Sequence, residues 1–294
     1  MSNSTISIVL PSKNRQKQLT EMIISCLETA NLPDLVDFVV FVDRGDAQYE
    51  FPIYLRQKIK IISGESMWLS TLYNFAASQA QGDIIMYGSD DIIFKTLNWD
   101  MEVKKAFDSL RNNFGLVFPN DKSSYQGKIA THGFVTKSWI TTFGYLLPPY
   151  FPNIYTDVWV TELAKSTNSL IYLEQVIIEH NQYRQGKSEL DSTYLARIPD
   201  ARIKKSKLTF RSLRRELRVD VLKSSNTFDI PVNFKLKYLI PTTLYWFFKK
   251  STSHEEKIIL LSTPNQGIAL LVLRKIKNIL RKNLFVSIAN FFNR

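Results

Sequence analysis

Asp43, Asp90, Asp91, His132, Asp157 and His180 are the side chains of this sequence best placed to do chemistry. Asp90 and Asp91 are adjacent and lie between two short apolar runs, Ile84–Tyr87 and Ile92–Phe94. Carboxylates pinned between buried segments cannot drift into solvent. Held together, they repel each other unless a cation neutralises them. A divalent ion with oxygen ligands is the natural cation, and it would act as a Lewis acid. Asp43 closes another apolar run, Phe38–Val42, and His180 follows Val176–Glu179. His132 stands beside Gly133, which allows close approach of a ligand to the backbone. Imidazoles bind metals and move protons near neutral pH, but a lone histidine is more often a structural, hydrogen-bonded residue. Taken singly, an Asp-Asp pair is an ordinary surface turn. A carboxylate such as Asp157 at a helix start is ordinarily a favourable first-turn charge. The elements that position these groups must therefore decide.

Ile6–Leu10, Phe38–Val42, Ile59–Ile62, Ile84–Tyr87 and Leu116–Phe118 have the length and composition of buried strands. Between them, Leu19, Met22, Ile23, Cys26 and Leu27 recur at helical spacing. Trp68–Gln81 and Asp100–Asn112 also read as helices, the first stopped by Gly82. Strands alternating with helices predict an α/β fold with a mainly parallel sheet covered on both faces. Leu170–Leu173 and Val176–Glu179 are further expected strands, and a helix is expected near Thr156–Lys165. In a parallel sheet, Asp43 and the Asp90–Asp91 pair share the C-terminal edge, where α/β folds bind ligands. The polar segment Tyr183–Tyr194, with Arg184, Lys187 and Asp191, has the composition of a flap over a charged ligand.

The chain has 294 residues, 45% of them hydrophobic and 22% charged, so a globular protein is expected rather than a disordered one. The one cysteine, Cys26, excludes an internal disulfide and a cysteine-rich metal site, and fits a reducing compartment. No secretory leader or spanning helix is expected, which points to a cytoplasmic location. No GxGxxG follows the first strand and no GxxxxGK[ST] occurs, so dinucleotide and P-loop readings fail. Charge divides the chain near residue 200. Residues 200–294 carry 20 Lys and Arg against 6 Asp and Glu, whereas residues 1–199 carry 18 against 21. A domain over 1–199 and a basic, mainly helical region over 200–294 are expected.

Five segments, in order, resemble the family 2-type glycosyltransferases of the GT-A fold: ISIVLPSKNR, FVVFVDRGD, GDIIMYGSDDIIF, TDVWVTELAK and VIIEH. Between Gly82 and Tyr194, GSDDIIF, ATHGFV, PPYF and the terminal GK…DSTY are similar to a subgroup common in phage and bacterial glycan loci. One position departs: Ser89 stands where the family's D-x-D has its first acid, while Asp91 keeps the last, its usual metal ligand.

The resemblance implies transfer of a sugar from a nucleoside-diphosphate sugar to a glycan or lipid-linked acceptor, with inversion. Pro11, Ser12, Asn14, Arg15, Asp43 and Asp90 would hold the nucleotide. Asp91 and His180 would hold Mn2+ or Mg2+. His132, Arg184 and Lys187 would contact substrate or phosphate, and Asp157 would be the base. Basic stretches with aromatic and aliphatic neighbours in residues 200–294 suit an anionic membrane surface. The alternative is a helical appendage packed on the catalytic domain or on a second copy in a homo-oligomer. Nucleic acid is the less favoured partner, because the aromatics cluster with aliphatics. It enters only through a second reading, a catalytically weak GT-A-like protein that binds nucleic acid or membrane through the basic region.

Overall fold

The computed structural model describes residues 1–46, 48–151, 154–181, 209–210 and 213–228. The expected Tyr183–Tyr194 flap, with Arg184 and Lys187, and most of the basic 200–294 region lie outside the described residues.

Eight strands form one sheet: β1 (Ile6–Pro11), β2 (Val36–Asp43), β3 (Ile59–Gly64), β4 (Ile84–Tyr87), β5 (Ile92–Phe94), β6 (Leu116–Asn120), β7 (Gly133–Thr136) and β8 (Leu170–His180). Their order is β3-β2-β1-β4-β7-β6-β8-β5. β3, β2, β1 and β4 are parallel, and β6 is parallel to β8. β7 runs antiparallel to both β4 and β6, and β5 antiparallel to β8. The parallel expectation thus holds for the first half of the sheet. Beyond it the sheet is mixed, because β7 and β5 run against the strands they pair with.

The helices are α1 (Gln16–Thr29), α2 (Ile53–Arg56), α3 (Leu69–Ser78), α4 (Trp99–Ser109), α5 (Lys137–Phe143), α6 (Thr156–Ser166) and α7 (Arg214–Phe228). Strand alternation divides the core into two layers. Ile6, Ile8 and Leu10 pack with Leu19, Met22, Ile23 and Cys26 of α1 and Trp99, Val103 and Phe107 of α4. Val9, Val39 and Ile85 face the other layer, with Tyr73 and Ala76 of α3, Trp139 of α5 and Trp159 and Leu163 of α6. Cys26 is fully buried and its thiol is pushed well up by burial, as a structural thiol should be.

The expected strands Leu170–Leu173 and Val176–Glu179 are one strand, β8, with a register shift opposite Pro119 and Asn120. Side chains bridge that irregularity. Thr96 Oγ1 donates to Gln175 O at 3.2 Å and accepts from Ile177 N at 2.8 Å, and Asn120 Nδ2 donates to Glu174 O at 3.2 Å. The described part of the 200–294 stretch packs on the other helices. Leu217 and Val221 of α7 are buried in the same layer as α5 and α6, and Phe228 stacks on Phe114 at 4.3 Å between centroids. No helix among the described residues is long and apolar enough to cross a membrane.

Candidate active site

Strand directions bring the sequence-predicted groups to one edge. β1, β2 and β4 are parallel, so Pro11, Asp43 and Tyr87 end on the same side. Tyr87 pairs with Gly133 across antiparallel strands, which puts His132 beside the β4 end. Ile92 pairs with His180, which puts Asp91 beside the β8 end. β6 runs with β8 and delivers Asp121 to the same edge. There His180 N donates to Asp121 O at 3.1 Å and Asn181 N to Asp91 O at 2.8 Å.

The acid pair is neutralised first by the protein itself. Arg15, only 6% exposed, places Nη1 3.1 Å from Asp90 Oδ1 and 3.8 Å from Asp91 Oδ2. Ser12 Oγ donates to Asp90 Oδ2 at 2.9 Å and accepts from Tyr49 Oη at 3.1 Å. Burial, then the neighbouring Asp91, push the Asp90 carboxyl up to about 6, against Arg15 and Ser12. Asp91 shifts the other way. Burial would raise it, but His180, with Nε2 3.3 Å from Oδ1, and the Ser89 hydroxyl hold it well below the usual carboxylate range. The two carboxylates therefore divide their roles: Asp90 belongs to the Ser12–Arg15 turn and Asp91 to His180.

Asn14 sits in that turn with φ 54°, and Asp43 at the β2 end accepts from Lys13 Nζ at 2.8 Å. This Ser12–Arg15, Asp43 and Tyr49 corner is the candidate nucleotide site. Asp157 is half-buried in the first turn of α6, after Tyr155, whose φ of 78° fixes how the chain enters the helix. Its Oδ1 accepts from Val158 N at 2.8 Å, and burial raises its carboxyl above the ordinary value. Burial, then Asp157 and Tyr73, raise the Tyr87 phenol well above its own, so the carboxylate lies near the β4 end.

Asp121, which follows β6 much as Asp43 ends β2, is a further member of the site; its local sequence is that of an ordinary strand-end carboxylate. Ligand atoms of Asp121, His132 and His180 lie within 4.8 Å of one another. The His132 and His180 rings meet edge to face at 4.6 Å between centroids. Asp121 Oδ2 and His132 Nδ1 are buried without a hydrogen-bond partner. Burial, then the His180 charge, hold His132 well below its ordinary pKa, which keeps a lone pair on the ring. Buried unsatisfied acceptors are costly unless a cation or donor meets them, so these residues fit a divalent metal. His132, expected as a substrate contact, thus stands with the metal-capable groups.

No protein-family model matches the chain. No curated protein matches it either. Among solved structures, S. aureus TarS 1-349 in complex with UDP-GlcNAc matches with a TM-score of 0.50 at 13% identity, covering 74% of this chain and 66% of that one. The fold is GT-A-like. A longer S. aureus TarS chain matches at 12% identity and TM-score 0.49 over 74% of this chain, which spans 40% of its length. The mannosyltransferase PcManGT from Pyrobaculum calidifontis, in complex with GDP-Man and Mn2+, matches at 12% identity and TM-score 0.49, covering 94% of this chain and 81% of that one. At such identities the GT-A likeness is one of fold.

Proposed function

We propose that this chain is a metal-dependent glycosyltransferase that moves a sugar from a nucleoside-diphosphate sugar to a hydroxyl of a glycan or lipid-linked acceptor, with inversion. One observation carries the reading: the Ser12–Arg15 and Asp43 corner, a metal-capable cluster and the half-buried Asp157 near Tyr87 gather at one edge of a GT-A-like sheet. The S. aureus relative of that fold holds UDP-GlcNAc, a donor of the proposed class.

Asp43 and the Ser12–Arg15 turn receive the nucleotide, with Lys13 released from Asp43 when the donor enters. Arg15 stays on Asp90 and keeps positive charge beside the diphosphate. Asp121, His132 and His180, with Asp91 beside His180, would hold a divalent ion, which would supply Lewis acidity for departure of the diphosphate. Asp157 takes the proton of the acceptor hydroxyl as its oxygen forms the new bond to the anomeric carbon. The bond from that carbon to the diphosphate breaks on the opposite face, and the diphosphate leaves with the electron pair. Direct displacement of this kind inverts the anomeric centre. Arg184 and Lys187, outside the described residues, are assigned to the phosphates.

A thermal-shift screen of nucleoside diphosphates and nucleotide sugars with Mn2+ or Mg2+ tests the donor class. A specific shift is expected, and no shift with any of them would overturn the reading. The basic 200–294 stretch favours docking of the enzyme on anionic lipid. Co-sedimentation with phosphatidylserine vesicles, lost on deleting residues after 228, is the expected result. If instead the chain bound nucleic acid with steep salt dependence and transferred no sugar, it would be a binding module on a GT-A-like scaffold.

A further inference from the structure

We propose that the metal of this site is held by two imidazoles, His132 and His180, together with Asp121, that Ser89 is the hydroxyl that orients His132 for it, and that the chain therefore selects a first-row transition metal over magnesium. The inference rests on the metal-dependent reading above and goes further, to the donor set and its selectivity.

The hydrogen bonds fix the tautomer. A serine hydroxyl has one proton, and Ser89 gives it to Asp91 Oδ1. His132 Nε2 lies 3.1 Å from the same Oγ, so it must be the donor there and carry the ring proton. Nδ1 is then the bare lone pair. It is buried, without a hydrogen-bond partner, on a side chain only 5% exposed. Asp121 is 4% exposed, and its Oδ2 is also without a partner. Its Oδ1 is occupied by Ser123 N at 3.0 Å, which holds the carboxylate in place. Two buried acceptors in one cluster, with no donor for either, call for a cation. Asp91 then orients the cluster from outside: it accepts from Ser89 and lies 3.3 Å from His180 Nε2, as carboxylates commonly do behind metal-binding histidines.

This geometry also gives Ser89 a purpose. A carboxylate at that position would touch Asp91 with like charge and would have no proton to relay. A donor set with two nitrogens departs from the all-oxygen shell that Mg2+ prefers, and binding should rise in the order Mg2+, Mn2+, Co2+.

The test uses the full chain and metal salts alone, by isothermal titration calorimetry and, for Co2+, visible absorption. Co2+ should bind at least about tenfold tighter than Mn2+ and Mn2+ tighter than Mg2+, with visible bands of a nitrogen-containing site. His132→Ala and Asp121→Asn should each weaken Co2+ by more than about tenfold, and Ser89→Ala by about tenfold, as loss of an orienting partner does. Ser89→Asp should also weaken Co2+. Circular dichroism without metal checks folding. If His132→Ala does not fold, the near-isosteric Asp121→Asn and Ser89→Ala carry the result. Equal affinity for Mg2+ and Co2+, or wild-type Co2+ affinity in folded Asp121→Asn and Ser89→Ala, overturns the proposal. Nucleotide-sugar binding is measured separately. A chain that binds a donor without the metal order loses this inference alone, and one with the metal order but no donor loses only the glycosyltransferase reading.

Discussion

Asp157 carries the heaviest chemical duty proposed for any single residue. If it is the base, Asp157→Asn should lower kcat by about a hundredfold to ten-thousandfold while donor affinity stays within about twofold. Unchanged kcat would return Asp157 to the role of a first-turn helix carboxylate. Arg15 is the second decisive residue. Nearly buried, it lies 3.1 Å from Asp90 and 3.8 Å from Asp91. Arg15→Met should leave two buried carboxylates short of their cation and cost about 3–5 kcal/mol in urea unfolding. Adding Asp90→Asn should return part of that loss, because one of the two charges is then gone. The acid pair alone pointed to a metal between Asp90 and Asp91. Sequence spacing could not show that an arginine 75 residues away in the chain already lies between them.

At the scale of elements, the site depends on how β7 and α7 dock. Gly133 opens β7, and a Cβ there would come within 2.7 Å of Tyr87 Oη and 2.8 Å of Leu116 Cδ1. Gly133→Ala should cost about 1–3 kcal/mol by overpacking and displace the adjacent His132, so metal affinity should fall in the folded fraction as well. Calorimetric titration with Co2+ beside a thermal melt separates the two effects. Docking of α7 carries a pH signature. Tyr145 Oη donates to Asp220 Oδ2 at 2.5 Å, and Lys223 lies 3.5 Å from Oδ1. Burial, above all, raises the Asp220 carboxyl, with Glu216 nearby adding to the rise. The folded protein therefore keeps that proton to higher pH than the unfolded chain does. Stability from this group is greatest at acid pH and falls as pH climbs above about 4. Asp220→Asn should flatten that fall, read as the difference between the two unfolding curves against pH.

For the molecule as a whole, donor and metal should act as linked ligands of the folded state. At about a hundred times its Kd a ligand adds about 2.7 kcal/mol. A nucleotide sugar with Mn2+ should therefore raise Tm by several degrees, and EDTA should remove most of that rise. A donor shift indifferent to EDTA would separate nucleotide binding from the metal. The described helix α7 packs on α5 and α6, so deletions intended to remove the basic region should spare residues up to 228.

The sequence by itself determined the strands that end in acid, the helices between them and the order of the five segments that resemble a GT-A enzyme. These are local properties: apolar runs, helical spacing and the residues that stop them. From Asp43, Asp90–Asp91, Asp157 and His180 it also indicated where the chemistry should lie. Only the tertiary structure decided which groups meet. β7 and β5 run against their neighbours, and that reversal sets His132 and Asp91 beside β8 and Asp121. The short β8 irregularity, bridged by Thr96 and Asn120, decided that two expected strands are one. Strand direction and long-range hydrogen bonds depend on packing between residues far apart in the chain, which no local pattern encodes.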